Sequence, residues 1–217
     1  MFFDRKTGEE EIELNMEQML GLAETYGLQL KSEGAEINES GMDFQVVFAD
    51  DESGRRWVLR RPRRDDVIKR AAAEGRVLKM LRGRLQAEVP EWQIDEPELI
   101  AYPMLAGVPA AVIDMEIRNY VWNMKHQPPA EPFVRSLAQT LADLHGSDHH
   151  AAEEAGVQVM SPDDVRQTKA DDMERIRAEL GVSEMLWERW QRWISDDSYW
   201  PRHSVLIHGD LHPPHIL

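Results

Sequence analysis

At 217 residues, with 40 acidic against 25 basic side chains and a formal net charge of −15, the chain is too acidic for nonspecific binding of nucleic acid or an anionic membrane and favours cationic ligands. The absence of cysteine excludes a disulfide framework and a Cys-ligated zinc site. No apolar run approaches the roughly 20 residues of a spanning helix and the opening MFFDRKTGEEEIE has no signal-peptide core, so a cytoplasmic monomer of one large or two small domains is expected.

Residues 9–13 are mostly acidic, and Leu14, Met16, Met19, Leu20, Leu22, Ala23 and Tyr26 follow at three- and four-residue spacings up to Gly27. This predicts a short amphipathic helix stopped by glycine. The period then changes. Residues 43–49 (DFQVVFA) are β-formers, 50–54 (DDESG) carry turn chemistry and 56–60 (RWVLR) form a second strand, which together predict a β-hairpin. A loop over 38–44 precedes it, after a first strand. Residues 65–85 read as a helix, with Val67, Ile68, Ala71, Val77, Leu78 and Leu81 at helical intervals and Gly83 near the end. Beyond Pro90, residues 92–94 and 99–104 read as two short strands parted by a turn at Asp95, Glu96 and Pro97. About five strands interrupted by one long helix make an α+β lobe.

Residues 106–132 are punctuated by Gly and Pro and read as irregular, with Gln127, Pro128 and Pro129 as a linker or insertion. Phe133, Leu137, Leu141 and Leu144 form one helical stripe, which predicts a core helix over 133–145. Ser161-Pro162-Asp163-Asp164 opens another helix with an N-cap and a Pro at its first position. That helix runs to Gly181, and Ser183 starts a third in which Trp187, Trp190 and Trp193 recur. Residues 204–207 (SVLI) then read as a short buried strand before a His208-Gly209-Asp210 turn. The expected domains are a mixed lobe over 1–105, with a hinge at 102–105, and a helical lobe over 106–217.

The last stretch carries the most specific chemistry. From His208 to His215 it follows H-x-D-x-x-x-x-[N/H], the spacing of a kinase catalytic loop. One Asp accepts the acceptor's hydroxyl proton, while a ligand on the same loop holds a metal on the nucleotide phosphates. Asp210 is the candidate base and His215 the candidate metal ligand, for which it must be neutral. His212 reads as a loop residue beside Pro213 and Pro214. Arg60 stands where kinases carry the Lys of V-A-I-K, with Glu74 suitably placed on the next helix, and its planar fork can bind phosphate bidentately. The competing reading of this basic run is a solvated edge strand. Ser40 and Gly41 would sit in a phosphate-covering loop, but with one glycine the segment also suits a plain hairpin turn. His149, His150, Glu153 and Glu154 read as a solvated helix start rather than metal ligands. The Trp stripe reads as a packed helix face, with an aromatic cage for a quaternary amine as the alternative.

With Asn38-Glu39-Ser40-Gly41, WVLRRPRR at 57–64, Glu74, AYPML at 101–105, RWQRW at 189–193 and HGDLHPPHIL at 208–217 in this order, the chain resembles the macrolide 2′-phosphotransferases, members of the aminoglycoside-phosphotransferase-like kinases. The resemblance runs from about residue 14 to residue 217. It implies a two-lobed protein-kinase-like fold, with a small β-rich N-terminal lobe and a mostly helical C-terminal lobe. It implies transfer of the γ-phosphate of GTP (or ATP), with Mg2+, to the 2′-hydroxyl of a macrolide's desosamine sugar, and so antibiotic resistance. It also implies Asp210 as base, His215 as metal ligand, Arg60 with Glu74 at the phosphates, Ser40 and Gly41 above them, and Tyr102, Pro103, Met104 and Leu105 as the base-holding hinge. The protonated dimethylamino group of a macrolide suits the acidic chain. Family members continue with a strand bearing a second metal-binding Asp, so a chain ending at Leu217 is expected to transfer no phosphate. The alternatives are a kinase for an aminoglycoside or choline, and a noncatalytic nucleotide- or drug-binding module.

Overall fold

Local chemistry fixes the first helix, α1 (Met16–Thr25), in a computed structural model that describes residues 14–39 and 41–217. The acidic stretch 9–13 and Ser40 lie outside the described residues. Asn15 and Gln18 each accept the other's backbone N–H at 2.9 Å, a reciprocal cap that satisfies two otherwise orphaned donors. Ahead of the helix, Leu14 is clamped by a side chain from the sheet. Its N–H donates to Gln45 Oε1 at 3.2 Å, and Gln45 Nε2 donates to its carbonyl at 2.6 Å. Gln45 is 1% exposed, and these two bonds offset the burial of its amide.

Five antiparallel strands form the main sheet: β1 (Glu36–Asn38), β2 (Phe44–Asp50), β3 (Arg56–Pro62), β4 (Ile94–Glu96) and β5 (Leu99–Pro103), in spatial order β1-β2-β3-β5-β4. The expected hairpin joins β2 to β3. Asp51 holds its turn, accepting Ser53 N–H at 2.8 Å and Arg55 N–H at 3.0 Å on one oxygen, and the Trp57 indole N–H at 2.9 Å on the other. Met19, Leu20 and Ala23 of α1 pack on Val47, Ala49, Leu59, Leu99 and Ala101 to make the core. Between β3 and β4 runs α2 (Asp65–Leu81), four residues shorter at its end than the spacing predicts. Glu96 belongs to β4, so the following turn is formed by Pro97 and Glu98 rather than by Asp95, Glu96 and Pro97.

The stretch expected to be irregular holds a second hairpin, β6 (Ala111–Asp114) with β7 (Asn119–Trp122). Asp114 stabilises its turn by accepting the N–H groups of Glu116 and Ile117 at 2.9 and 3.1 Å. Four helices follow: α3 (Glu131–His145), α4 (His149–Glu154), α5 (Pro162–Leu180) and α6 (Glu184–Ser195). Ser161 and Asp164 cap α5 reciprocally, as the sequence predicts. The core reading of α3 needs correction, because only Leu144 of its stripe is buried while Phe133, Leu137 and Leu141 are half-buried. The strand expected over 204–207 does not form, and Ile207 is 64% exposed. An apolar run becomes a strand only with a neighbour to satisfy its backbone groups. Here the segment's end makes the tie instead, Ala110 N–H donating to Ile216 O at 2.8 Å.

Candidate functional site

Arg60 sits on an interior strand, opposite Val46 of β2 and Ile100 of β5, so the solvated edge-strand alternative is excluded. Its guanidinium donates to both oxygens of Glu74 on α2, at 2.7 and 3.3 Å, and lies 4.0 Å from the centre of the Phe44 ring. The side chain is 17% exposed. Burial opposes its charge, but the hydrogen bond and charge of Glu74, with Tyr102 alongside, hold the guanidinium above its ordinary range. Trp92 closes the back of this arrangement by packing on α2 at Gly75, where a Cβ would lie 2.7 Å from the indole. Only glycine permits that approach without displacement.

Of the other residues expected at the nucleotide, Tyr102 pairs with Val58 and Pro103 with Trp57 at the end of β5. Met104 N–H extends this ladder to Arg56 O at 2.9 Å, and its side chain is 47% exposed. Tyr102 is the member that reaches Arg60. Burial pushes its phenol up, and the adjacent Arg60 pulls it back. Leu105 is half-buried. Gly41 turns tightly, since a Cβ there would lie 3.2 Å from Phe44 O. Neighbouring cations are already engaged: Arg64 and Arg70 both bind Asp43, at 2.7 and 3.0 Å, and hold that carboxyl below its usual range.

The second cluster is the loop at 208–215. Gly209 adopts φ +85°, the left-handed conformation that turns the chain and presents Asp210. The Asp210 side chain is 79% exposed, and its backbone N–H donates to His208 Nδ1 at 3.3 Å. A 3₁₀ turn, Pro213–His215, then folds His215 back. His215 Nδ1 lies 2.8 Å from the Asp210 carbonyl oxygen, and its Nε2 lies 3.1 Å from His212 Nε2. Asp210 Oδ2 is 3.9 Å from a ring nitrogen of each imidazole.

Asp210, His212 and His215 thus hold potential ligand atoms within 4.8 Å of one another. His212 is the residue that sequence reasoning missed. Its i, i+3 spacing to His215 across the Pro pair was the available signal, since one 3₁₀ turn brings such residues face to face. Tyr120 of β7 reaches the same imidazole, its hydroxyl 3.5 Å from His212 Nδ1. By contrast, the acidic and His cluster at 149–154 is a capped helix, Asp148 accepting Ala151 N–H at 2.8 Å. Among the described residues no hydrogen bond or ion pair joins the Arg60 cluster to the Asp210 cluster.

A family model described as a phosphotransferase enzyme family matches residues 34–217. The uncharacterized protein YcbJ of Bacillus subtilis (strain 168) is 60% identical over 200 residues, covering 92% of this chain and 65% of that protein. Among solved structures, the apoenzyme of macrolide 2′-phosphotransferase MphH from Brachybacterium faecium is 42% identical with a TM-score of 0.84, over 92% of this chain and 66% of the other. A macrolide 2′-phosphotransferase type I is also 42% identical, with a TM-score of 0.79 over 92% and 65%. The GDP complex of wild-type aminoglycoside 2′-phosphotransferase-IIIa, 17% identical with a TM-score of 0.68, shares the fold. The chain spans 65% of the YcbJ protein and 65–66% of the two macrolide phosphotransferases.

Proposed function

Because the chain belongs to the phosphotransferase enzyme family and has a two-lobed kinase-like fold, we propose that it serves transfer of the γ-phosphate of GTP or ATP to the 2′-hydroxyl of a macrolide, which confers resistance. The observation that carries this reading is the Arg60–Glu74 pair, a cation held by two hydrogen bonds at the position where kinases engage nucleotide phosphates. In this account residues 1–105 bind the nucleotide, with Ser40 and Gly41 over its phosphates and Tyr102, Pro103, Met104 and Leu105 against its base. Residues 106–217 supply the acceptor side. Asp210 accepts the hydroxyl proton of the sugar as the oxygen attacks, and Glu74 keeps Arg60 aimed. Among the described residues no helix is long and apolar enough to cross a membrane, and the supply of GTP and ATP puts the reaction in the cytoplasm.

Magnesium is the ion a family kinase brings to this chemistry, and it takes oxygen ligands in near-octahedral geometry. The loop offers one carboxylate and two imidazoles. That donor set does not fit Mg2+, so no step here runs through it.

The 42% identity to macrolide enzymes against 17% to an aminoglycoside enzyme supports the macrolide acceptor. The choline alternative loses its sequence support: Trp187 is 8% exposed, with the Arg177 guanidinium already 4.3 Å over its ring, and Trp193 packs on Trp200 at 5.0 Å. The test is a panel of macrolide, aminoglycoside and choline, each with GTP and with ATP, read by product mass for a polypeptide of the relatives' full length carrying this chain. One phosphoryl group on the macrolide, and none on a macrolide blocked at its 2′-oxygen, is expected. Phosphate on the aminoglycoside or choline alone would overturn the assignment.

A further inference from the structure

The mismatch with Mg2+ leaves the question of what two imidazoles and a carboxylate on one loop would hold. A backbone carbonyl can only accept, so the 2.8 Å contact with Asp210 O puts the His215 proton on Nδ1. A neutral His215 therefore carries its lone pair on Nε2, aimed at His212 Nε2 only 3.1 Å away. His212 must then donate from Nε2, which leaves its Nδ1 to accept from the Tyr120 hydroxyl. Two nitrogens bound to one tetrahedral ion at about 2.0–2.1 Å stand roughly 3.3 Å apart. The free pair already has nearly that spacing. Asp210 Oδ2 lies 3.9 Å from His212 Nε2 and 3.9 Å from His215 Nδ1, and on an exposed side chain it is free to turn in beside the two nitrogens as a third donor, an oxygen.

We propose that Asp210, His212 and His215 form a binding site for a borderline divalent ion of the Zn2+, Co2+ or Ni2+ class, with Tyr120 as the residue that orients His212. Imidazole suits such ions, whereas carboxylate, carbonyl and water suit magnesium. On binding, neutral His212 moves its proton from Nε2 to Nδ1 through solvent. No proton is lost from the imidazole, its Nε2 lone pair joins that of His215 on the ion, and its new Nδ1–H donates to the Tyr120 oxygen. That outer hydrogen bond fixes the tautomer in the way ligand histidines generally require. An ion held there also occupies the Asp210 carboxylate, so Zn2+ inhibits phosphoryl transfer. This consequence, unlike the site itself, rests on the base role proposed above.

The test is titration of the purified 217-residue protein with Co2+ alone, followed by visible absorbance and calorimetry, with no nucleotide or acceptor present. Saturable binding of one Co2+ is expected, displaced by Zn2+ and not by excess Mg2+. His215→Ala and His212→Gln should each weaken it at least about 10-fold, and Tyr120→Phe severalfold. The Gln variant is the discriminating one. Its amide nitrogen reaches the place of His212 Nε2, so it can still donate to His215 Nε2 and keep the loop, confirmed by an unchanged thermal melt, yet it is a poor ligand for this class of ion. Wild-type Co2+ affinity in His212→Gln, displacement by Mg2+ as readily as by Zn2+, or no saturable binding would overturn the proposal. Failure of phosphoryl transfer would leave it standing, which separates the two readings.

Discussion

Arg60 is held at 17% exposure by two hydrogen bonds to Glu74, with the Phe44 ring 4.0 Å away, whereas Asp210, 79% exposed, meets His208, His212 and His215 of its own loop. The first site is built by register: three strands and a helix, distant in sequence, meet at one guanidinium. The second is built by eight consecutive residues and a 3₁₀ turn. Its ties to the rest of the chain run to the β6–β7 hairpin, through Tyr120 to His212 and Ala110 to Ile216, and leave Asp210 itself uncovered. The contrast teaches that phosphate-side residues should be coupled to stability and loop residues to chemistry.

The largest expected effect is chemical. Asp210→Asn should lower macrolide phosphorylation by about 10²- to 10⁴-fold, the range of a lost general base, while the melting temperature stays within about a degree, as for exposed substitutions. A clear loss of melting temperature would break the contrast. Next comes Arg60→Ala, expected to cost about 2 kcal/mol of stability. That is below the 3–5 kcal/mol of a fully buried pair, because Glu74 is 40% exposed and water screens it. Nucleotide affinity should fall with it, and Arg60→Lys should restore charge but not the fork, giving an intermediate loss by calorimetry.

Gly75→Ala sharpens the same side, since its Cβ would meet the Trp92 ring at 2.7 Å. About 1–2 kcal/mol of destabilisation from overpacking is expected, with a weaker nucleotide site because Glu74 is the preceding residue. Denaturant unfolding of this variant at wild-type stability would show that Trp92 is not fixed against α2. The smallest effect is acid dependence at the β2–β3 turn. Hydrogen bonds from Ser53 and the Trp57 indole hold the Asp51 carboxyl well below its usual range. A group depressed in the folded state contributes stability fully above its unfolded value of about 3.9 and loses that contribution as pH falls from there through the folded value. Asp51→Asn should therefore flatten the acid limb of the plot of melting temperature against pH, followed by circular dichroism.

Much of the sheet lobe was legible because its signals are local. The β-formers and turn residues at 43–60 form the predicted hairpin, and the apolar period of 65–81 forms α2. The Arg60–Glu74 contact was legible because kinase chemistry demands a cation and a carboxylate at that spacing. The hairpin at 111–122 was hidden by the Gly and Pro around it, which made two four-residue strands look like loop. Gln45 gave no sequence signal, because its partner Leu14 lies 31 residues away. His212 was passed over for the same reason: Tyr120, 92 residues distant, and the fold of the Pro-Pro turn give it meaning. At 204–207 the apolar pattern was real, but no neighbouring strand paired with it.

The most direct test of the account is phosphoryl transfer to a macrolide, compared between wild type and Asp210→Asn in a polypeptide of the relatives' full length that carries this chain. The account predicts a 2′-phosphorylated macrolide from the wild type with GTP or ATP and a loss of about 10³-fold in the variant. A variant that retains near-wild-type turnover, or a wild type that phosphorylates only other hydroxyl compounds, would contradict it.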